Sequence, residues 1–463
     1  MKPLYGRAYE WLFRRVLYPL YEERLRGRRT LRWMQDMMAR DSWPREQLAR
    51  YQLEQMKGLL SHAHQQVPWY RERMDEAGFV PEDMTACEQV AALPVLTKAL
   101  VKEHYQELIA RDYRGRTFAK VTGGSTGVPF RFEITREDYE RRMAVMWRGY
   151  ARAGARMGRR TLYLWGADIL PTRTLAGIKN HLYHSFFQRR MLNSFALTEA
   201  NLPDYYRQVR AYRPAVVVAY VSPLYQLACY MLANNLRVPG VSSILTGAEP
   251  LHEFQRDVIA RAFQAPVYNT YGCREVMLLA SEAPGVSGLL INSDQFYLEA
   301  LGDQGVAVHD APGELLITDL HARGMPFIRY SNGDRVSLAS PDQSAAGYPW
   351  PLMHAVEGRQ LDVIRTPDGA LLPGEFFPHL LKDIPGVAAF QVIQHRLDSL
   401  VIKLQVSADY DADAETLLRR TVQARLGDAM HLLLEYVTEI PLTASGKRRV
   451  TMSMLDTDTG ERS

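Results

Sequence analysis

Apolar and polar positions along the 463 residues change their rhythm twice. Up to about residue 118 the chain is rich in helix formers, as in Glu46-Gln47-Leu48-Ala49-Arg50-Tyr51-Gln52-Leu53-Glu54-Gln55-Met56, with a break at Pro68, and reads as mostly helical. Beyond it, short apolar runs at Thr161–Trp165, Ala215–Tyr220, Ser243–Leu245, Val267–Thr270 and Glu314–Thr318 alternate with helical stretches such as Pro223–Asn235 and Glu253–Ala262. This alternation predicts an α/β core of parallel strands and crossover helices. The runs end at Gly166, Ser222, Gly247, Gly272 and Asp319. Ligands of open α/β sheets bind outside the carboxyl ends of strands, so these endings are expected on one edge. Around Gly358 the texture changes again: Phe390–Gln394 and Leu400–Val406 read as a hairpin, Ala414–Leu426 as a helix and Leu432–Thr438 as a strand. The expected organisation is a helical region (1–118) on a large α/β domain (119–357), followed by a small α+β domain (358–463).

Composition narrows this little. Hydrophobic residues make up 47% and charged residues 23%, values of a globular protein, and the net charge of +4 selects no partner; a nucleic-acid partner is not expected. Cys87, Cys229 and Cys273 are widely spaced, which argues against a disulfide framework or a zinc site. With no apolar run long enough to span a membrane, a cytoplasmic location is expected. Residues 1–35 stand out: nine Lys/Arg face three Glu, interleaved with Tyr5, Tyr9, Trp11, Leu12, Phe13, Leu17, Tyr18 and Leu20. A basic, aromatic helix of this kind suits peripheral contact with the inner membrane surface or a partner's acidic face; the commoner arrangement folds it onto the body with its arginines solvated.

Candidate chemistry begins at Thr122-Gly123-Gly124-Ser125-Thr126-Gly127-Val128-Pro129, three glycines and three hydroxyls between strand-like runs. Glycines let consecutive N–H groups converge on an anion and hydroxyls add donors, so the turn suits phosphate; otherwise it is a solvated hairpin tip. It lacks Gly-Lys-Ser/Thr, and Phe130-Arg131-Phe132-Glu133-Ile134-Thr135 alternates like a strand, which sets it apart from an ordinary NTPase loop.

Five segments follow in order: Gly247-Ala248-Glu249-Pro250, Tyr271-Gly272-Cys273-Arg274-Glu275, Tyr330-Ser331-Asn332-Gly333-Asp334, Gly358-Arg359-Gln360-Leu361-Asp362, and Leu442-Thr443-Ala444-Ser445-Gly446-Lys447. With the glycine turn, this succession resembles the adenylate-forming enzymes, and most of all their branch of phenylacetate-CoA ligases and ligase-like proteins of capsule and polysaccharide gene clusters. The segments Gly58-Leu59-Leu60-Ser61-His62-Ala63, Val67-Pro68-Trp69-Tyr70-Arg71 and Leu93-Pro94-Val95-Leu96-Thr97-Lys98 extend the resemblance over nearly the whole chain.

The resemblance implies ATP and Mg²⁺, with acid and ATP giving acyl-AMP and pyrophosphate. Thr122, Gly123, Gly124, Ser125, Thr126 and Gly127 would cradle phosphates, and Gly247, Ala248, Glu249, Asn269, Tyr271 and Gly272 would surround the base. Asp334 would accept from the ribose hydroxyls, for which a carboxylate is well matched, and Arg359 would add a ribose or phosphate contact. Glu275 suits Mg²⁺, and Lys447 on a mobile lid would stabilise the transition state, with Arg274 adding charge near the α-phosphate. Trp165, Tyr220, Ser222 and Gly247 would wall the pocket of a small carboxylic acid, the aromatic residues hinting at an aromatic acid.

Four positions depart from the family pattern: Val128 and Phe130 stand where many relatives or other branches carry a lysine, Arg274 replaces a small hydroxyl residue, and Leu361 stands at the hinge. The expected reaction is an adenylate-forming ligation that ends in transfer to a thiol such as coenzyme A or to another nucleophile. Two other readings remain open: an adenylyltransferase that delivers AMP itself, and a degenerate nucleotide-binding scaffold in surface-polysaccharide biosynthesis.

Overall fold

The computed structural model describes residues 4–122, 130–166, 175–344, 348–356, 364–372, 374, 376–381, 384–427, 429–440 and 450–455. The N-terminal region is helical as expected, with α1 (Leu4–Leu12), two π-helical turns (Phe13–Leu17 and Leu20–Leu25), α2 (Thr30–Arg40), α3 (Arg45–Gln66), α4 (Pro68–Glu76) and α5 (Lys98–Glu103). Pro68 opens α4, where its missing N–H costs nothing, and so separates it from α3. Next comes the antiparallel hairpin β1 (Thr117–Thr122) and β2 (Phe130–Thr135), in which Thr122 pairs with Phe130 at the base of the glycine turn. Thr135 caps α6 (Arg136–Arg152), its hydroxyl accepting from Asp138 N while the Asp138 carboxylate accepts from Thr135 N.

The α/β core holds five parallel strands: β3 (Thr161–Trp165), β4 (Arg189–Asn193), β5 (Val216–Tyr220), β6 (Ser243–Gly247) and β7 (Val267–Tyr271), in the order β4-β3-β5-β6-β7. They alternate with α7 (Leu175–Phe186), α8 (Leu202–Tyr212), α9 (Val221–Ala233) and α10 (Glu253–Phe263). Strand β5 is buried along its whole length because both of its faces are covered. Val217 and Ala219 pack with α8, α9 and α10, while Val216 and Val218 pack with Ala153 and Ala155 at the end of α6.

The sheet continues past β7 as an antiparallel half: β8 (Ala280–Ser281), β9 (Leu289–Ile291), β10 (Phe296–Leu301), β11 (Pro312–Asp319), β12 (Tyr330–Leu338) and β13 (Leu352–Val356). The whole reads β10-β11-β12-β13-β9-β8-β7-β6-β5-β3-β4, eleven strands among the described residues. Asp319 therefore departs from expectation. It ends an antiparallel strand well removed from β7 and is buried against Arg142 at 3.5 Å, apart from the edge where the other endings gather.

From Ile364 a separate core forms. Strands β14 (Ile364–Arg365) and β15 (Leu371–Leu372) make a small hairpin followed by α11 (Phe376–Leu381). Strands β16 (Val387–Arg396) and β17 (Ser399–Val406) make the expected hairpin; α12 (Ala412–Leu426), β18 (His431–Tyr436) and β19 (Thr451–Ser453) complete a sheet ordered β18-β17-β16-β19. This unit meets the larger one where Phe376 packs edge-on against Phe195 (centroids 5.0 Å apart) and Gln226 Nε2 donates to the Gly369 carbonyl at 2.8 Å. The chain is thus a mixed α/β protein, with a large sheet domain, a helical N-terminal region and a small α+β C-terminal unit.

Candidate active site

Parallel pairing brings four expected strand endings together. Tyr220 of β5 lies opposite Gly247 of β6, Thr246 lies opposite Asn269 of β7, and β3 adjoins β5, so Gly166, Ser222, Gly247 and Gly272 border one edge. Here Ala248 follows β6 with a φ of 68°, uncommon for a residue with a side chain, and Glu249 turns toward the start of α9. The Glu249 carboxylate accepts from Ser222 N at 2.7 Å and from Ser222 Oγ at 3.0 Å, where the positive end of the helix dipole favours an anion. Glu249 and Ser222 thus hold each other. Gly272 is demanded by packing: a Cβ there would lie 1.8 Å from the Met277 carbonyl oxygen of the loop that carries Arg274 and Glu275.

Trp165 and Tyr220 stack face to face at 4.3 Å, and Phe195 also stacks on Tyr220 at 5.9 Å. The expected acid-pocket aromatics are therefore the first members of a ring series that runs through Phe195 to Phe376. Asn269 donates its backbone N–H to Glu282 at 2.7 Å, and its side-chain Oδ1 is buried with no hydrogen-bond partner among the described residues. A buried orphan acceptor is costly, and a ligand amino group would relieve that cost.

The ribose candidate Asp334 sits in a β-bulge. Leu316 pairs with Ser331 and Glu314 with Arg335, so Asn332, Gly333 and Asp334 all bulge out opposite Leu315, with Gly333 at φ 87°. The bulge turns Asp334 toward β7, where the Tyr271 hydroxyl donates to Oδ2 at 2.7 Å. Asn332 Nδ2 donates to the same oxygen at 2.8 Å and Asn332 Oδ1 accepts from Asp334 N at 3.0 Å. Desolvation, followed by the Asp334 charge, raises the Tyr271 phenol well above its usual range, so it stays a donor.

Glu275 is buried and accepts from the Tyr330 hydroxyl at 3.0 Å, with Lys98 Nζ at 3.7 Å from the same Oε1. Tyr330 stacks on Phe327 at 4.5 Å and on Phe130 at 5.9 Å, and Lys98 lies over the Phe130 ring at 5.6 Å. Because Phe130 closes the hairpin opposite Thr122, both ends of the glycine turn are anchored beside Glu275. A single carboxylate suits Mg²⁺, which is usually held by one or two carboxylates together with substrate phosphates. Among the described residues no three His, Cys, Asp or Glu side chains gather into a metal cage. Desolvation, followed by the Glu275 and Asp334 charges, pushes the Cys273 thiol well above its usual value, which favours its protonated form.

Two cations here were not singled out as site residues from sequence. Lys98 reaches Glu275 because Leu96 pairs in parallel with Tyr330, a long-range contact with no local signature. Lys120, on the same hairpin face as Thr122, lies over the Tyr139 ring at 4.7 Å; desolvation, with Arg142 and the exposed Arg274, holds its ammonium down to about 8. Its place two residues before the turn is the one sequence signal that marks it. Gly123, Gly124, Ser125, Thr126, Gly127, Val128, Arg359, Leu361 and Lys447 lie outside the described residues.

Residues 364–454 match the family model described as the CapK C-terminal domain. The chain is 22% identical over 367 residues to Protein CapK of Staphylococcus aureus, covering 78% of this chain and 79% of that protein. It is 26% identical over 423 residues to the phenylacetate-coenzyme A ligase of Thermus thermophilus, covering 86% of this chain and 90% of the ligase. In fold it resembles 2-hydroxyisobutyryl-CoA ligase solved with 2-HIB-AMP and CoA in the thioesterification state, with a TM-score of 0.61 at 20% identity, covering 90% of this chain and 92% of that one. By these likenesses the chain is similar to the adenylate-forming ligases of the branch that contains the phenylacetate-CoA ligases and CapK, and its C-terminal unit matches the CapK C-terminal domain.

Proposed function

We propose that this protein activates a small carboxylic acid with ATP and Mg²⁺, forming acyl-AMP and pyrophosphate, and then passes the acyl group to a thiol such as coenzyme A with release of AMP. The observation that carries the reading is the convergence of Tyr271, Asn332 and Asp334 beside Glu275 and Lys98 where β7 and β12 meet the candidate edge. Asp334 accepts from the ribose, and Tyr271 and Asn332 fix its carboxylate for that task. Asn269 Oδ1 accepts from the adenine amino group, beside Gly247, Ala248 and Gly272. Arg359 adds a second nucleotide contact.

Glu275 holds Mg²⁺, which supplies charge neutralisation on the phosphates. Thr122 and the glycine turn (Gly123, Gly124, Ser125, Thr126, Gly127) cradle the departing pyrophosphate, while Lys98 and Lys120 supply cations at the base of a turn that has valine at 128. Such charge counts because phosphoryl chemistry depends chiefly on positioning and electrostatic stabilisation. Lys447 approaches the carboxylate and α-phosphate as a point charge, with Arg274 close to the same oxygens. Trp165, Tyr220, Ser222 and Gly247 wall the acid site, and the ring series favours a planar acid.

The test is ATP–pyrophosphate exchange across a panel of aryl, fatty and amino acids. Exchange with at least one acid, abolished by Lys447→Ala while ATP still binds, is the expected result. Stable incorporation of AMP into an acceptor, without an acyl product, would overturn ligation in favour of AMP transfer.

A further inference from the structure

We infer that the N-terminal π-helical segment, together with α7, forms a docking surface for an anionic lipid bilayer. Bonding from i to i+5 widens each turn, so side chains four or five positions apart share a face. The inward stripe is Tyr9, Phe13, Tyr18 and Glu22, which packs on the body through Phe186 and Phe187. On the opposite face Trp11, Val16, Leu20 and Leu25 are all 45% exposed or more. A helix with both faces apolar has a second surface to bury.

Helix α7 extends that surface. The Tyr9 hydroxyl donates to the Phe186 carbonyl at 2.8 Å and Tyr183 packs on Phe187 at 4.9 Å, while Ile178, Leu182 and Tyr183 are exposed. The charges identify the occupant. Glu10 and Glu22 are paired internally with Arg159 and Arg28, whereas the exposed Arg14, Arg15 and Arg24 make no ion pair with another described residue. The stripe ends at a cleft of about 490 Å³ lined by Leu25, Phe118 and Tyr139 together with Arg26, Arg28 and Arg136. Protruding Trp and Leu side chains flanked by arginines suit the yielding interface of an anionic bilayer, into which each can insert independently.

Co-sedimentation of the full chain with phosphatidylcholine vesicles, with or without phosphatidylglycerol, tests this. Binding should be about tenfold or more stronger to the anionic vesicles and weaken with salt. The exposed double substitution Leu20→Glu with Leu182→Glu should abolish pelleting, and Arg14→Gln with Arg15→Gln and Arg24→Gln should reduce anionic binding to the neutral level, with thermal melting unchanged in both. If the double variant loses its melting transition, Leu20→Ser carries the same test. Equal pelleting with both vesicle types, or undiminished pelleting of the variants, overturns the inference. So does a chain that ignores vesicles but binds a protein through Leu20 and Leu182.

Discussion

The Tyr271 hydroxyl donates to the Asp334 carboxylate at 2.7 Å, tying the end of β7 to the bulge of β12 across the strands between them. Hydrogen bonds to a charged acceptor contribute about 1.5–3 kcal/mol, so Tyr271→Phe should weaken ATP binding by roughly tenfold while leaving the fold intact. Asp334→Ala removes the proposed ribose acceptor itself and should cost roughly a hundredfold. The apparent KM for ATP in pyrophosphate exchange reads both; a KM unmoved in the two variants would sink the ribose assignment.

Glu275 and Lys98 make a second pair, 3.7 Å apart, so a protein cation would compete with the proposed Mg²⁺ for one carboxylate. Lys98→Met should therefore lower the Mg²⁺ concentration needed for half-maximal exchange by roughly threefold, while reducing the maximal rate because a phosphate-facing charge is gone. Glu275→Gln should act in the opposite sense, raising the Mg²⁺ requirement by roughly tenfold or more. A Mg²⁺ titration that is the same in Lys98→Met and the parent chain would show that the two cations do not share Glu275.

Much of the site's outline is legible in the sequence. The runs Thr161–Trp165 and Phe130–Thr135 are strands at those same bounds, and Asn332-Gly333-Asp334 reads as a turn because a bulge uses the same residue types. The antiparallel half is harder to see: β8 and β9 have two and three residues, too few to show a period. Asp319 parts from the other strand ends because strand direction is a property of pairing, which its own run does not encode. The approach of Lys98 to Glu275 is invisible for the same reason, since the Leu96–Tyr330 pairing is long-range. At the N-terminus the composition marks a basic aromatic helix, but only the π-helical pitch divides its apolar residues into two opposed stripes.

Lys120 gives the proposed nucleotide site a pH signature. Desolvation, Arg142 and Arg274 lower its pKa to about 8, so the free protein begins to lose this charge just above neutrality. A bound polyphosphate favours the ammonium and raises that pKa, so ATP binding takes up a proton when the pH exceeds about 8. Affinity should hold level below that pH and fall by up to roughly tenfold per unit above it. Calorimetry in buffers of different ionisation enthalpy reads the proton directly. Lys120→Met should abolish the uptake and flatten the profile, whereas an unchanged profile would place Lys120 away from the phosphates.

A buried ion pair far from the chemistry sets the acid limit of the fold. Arg148 and Asp294 are both fully buried, joined at 2.6 Å and 2.9 Å, with Arg40 at 2.9 Å from the same carboxylate and Trp350 over the Arg148 guanidinium at 5.0 Å. Desolvation alone would raise the Asp294 carboxyl, but Arg148 and Arg40 outweigh it and leave it well below the usual carboxylate range. Because the folded value is depressed, the stabilisation is fully present above the unfolded value near 3.9 and is lost as pH falls through the folded one. Asp294→Asn strands the buried Arg148 guanidinium and weakens the hold on the partly exposed Arg40, and should cost about 3–5 kcal/mol at neutral pH. In urea titrations the gap between this variant and the parent should stay constant from neutrality to about pH 5 and narrow below about pH 4, as the carboxylate of the unfolded parent takes up its proton while the folded one stays ionised. A gap that stays constant down to the acid transition would mean that packing around Trp350, and not the ion pair, holds α2, α6 and the antiparallel strands together.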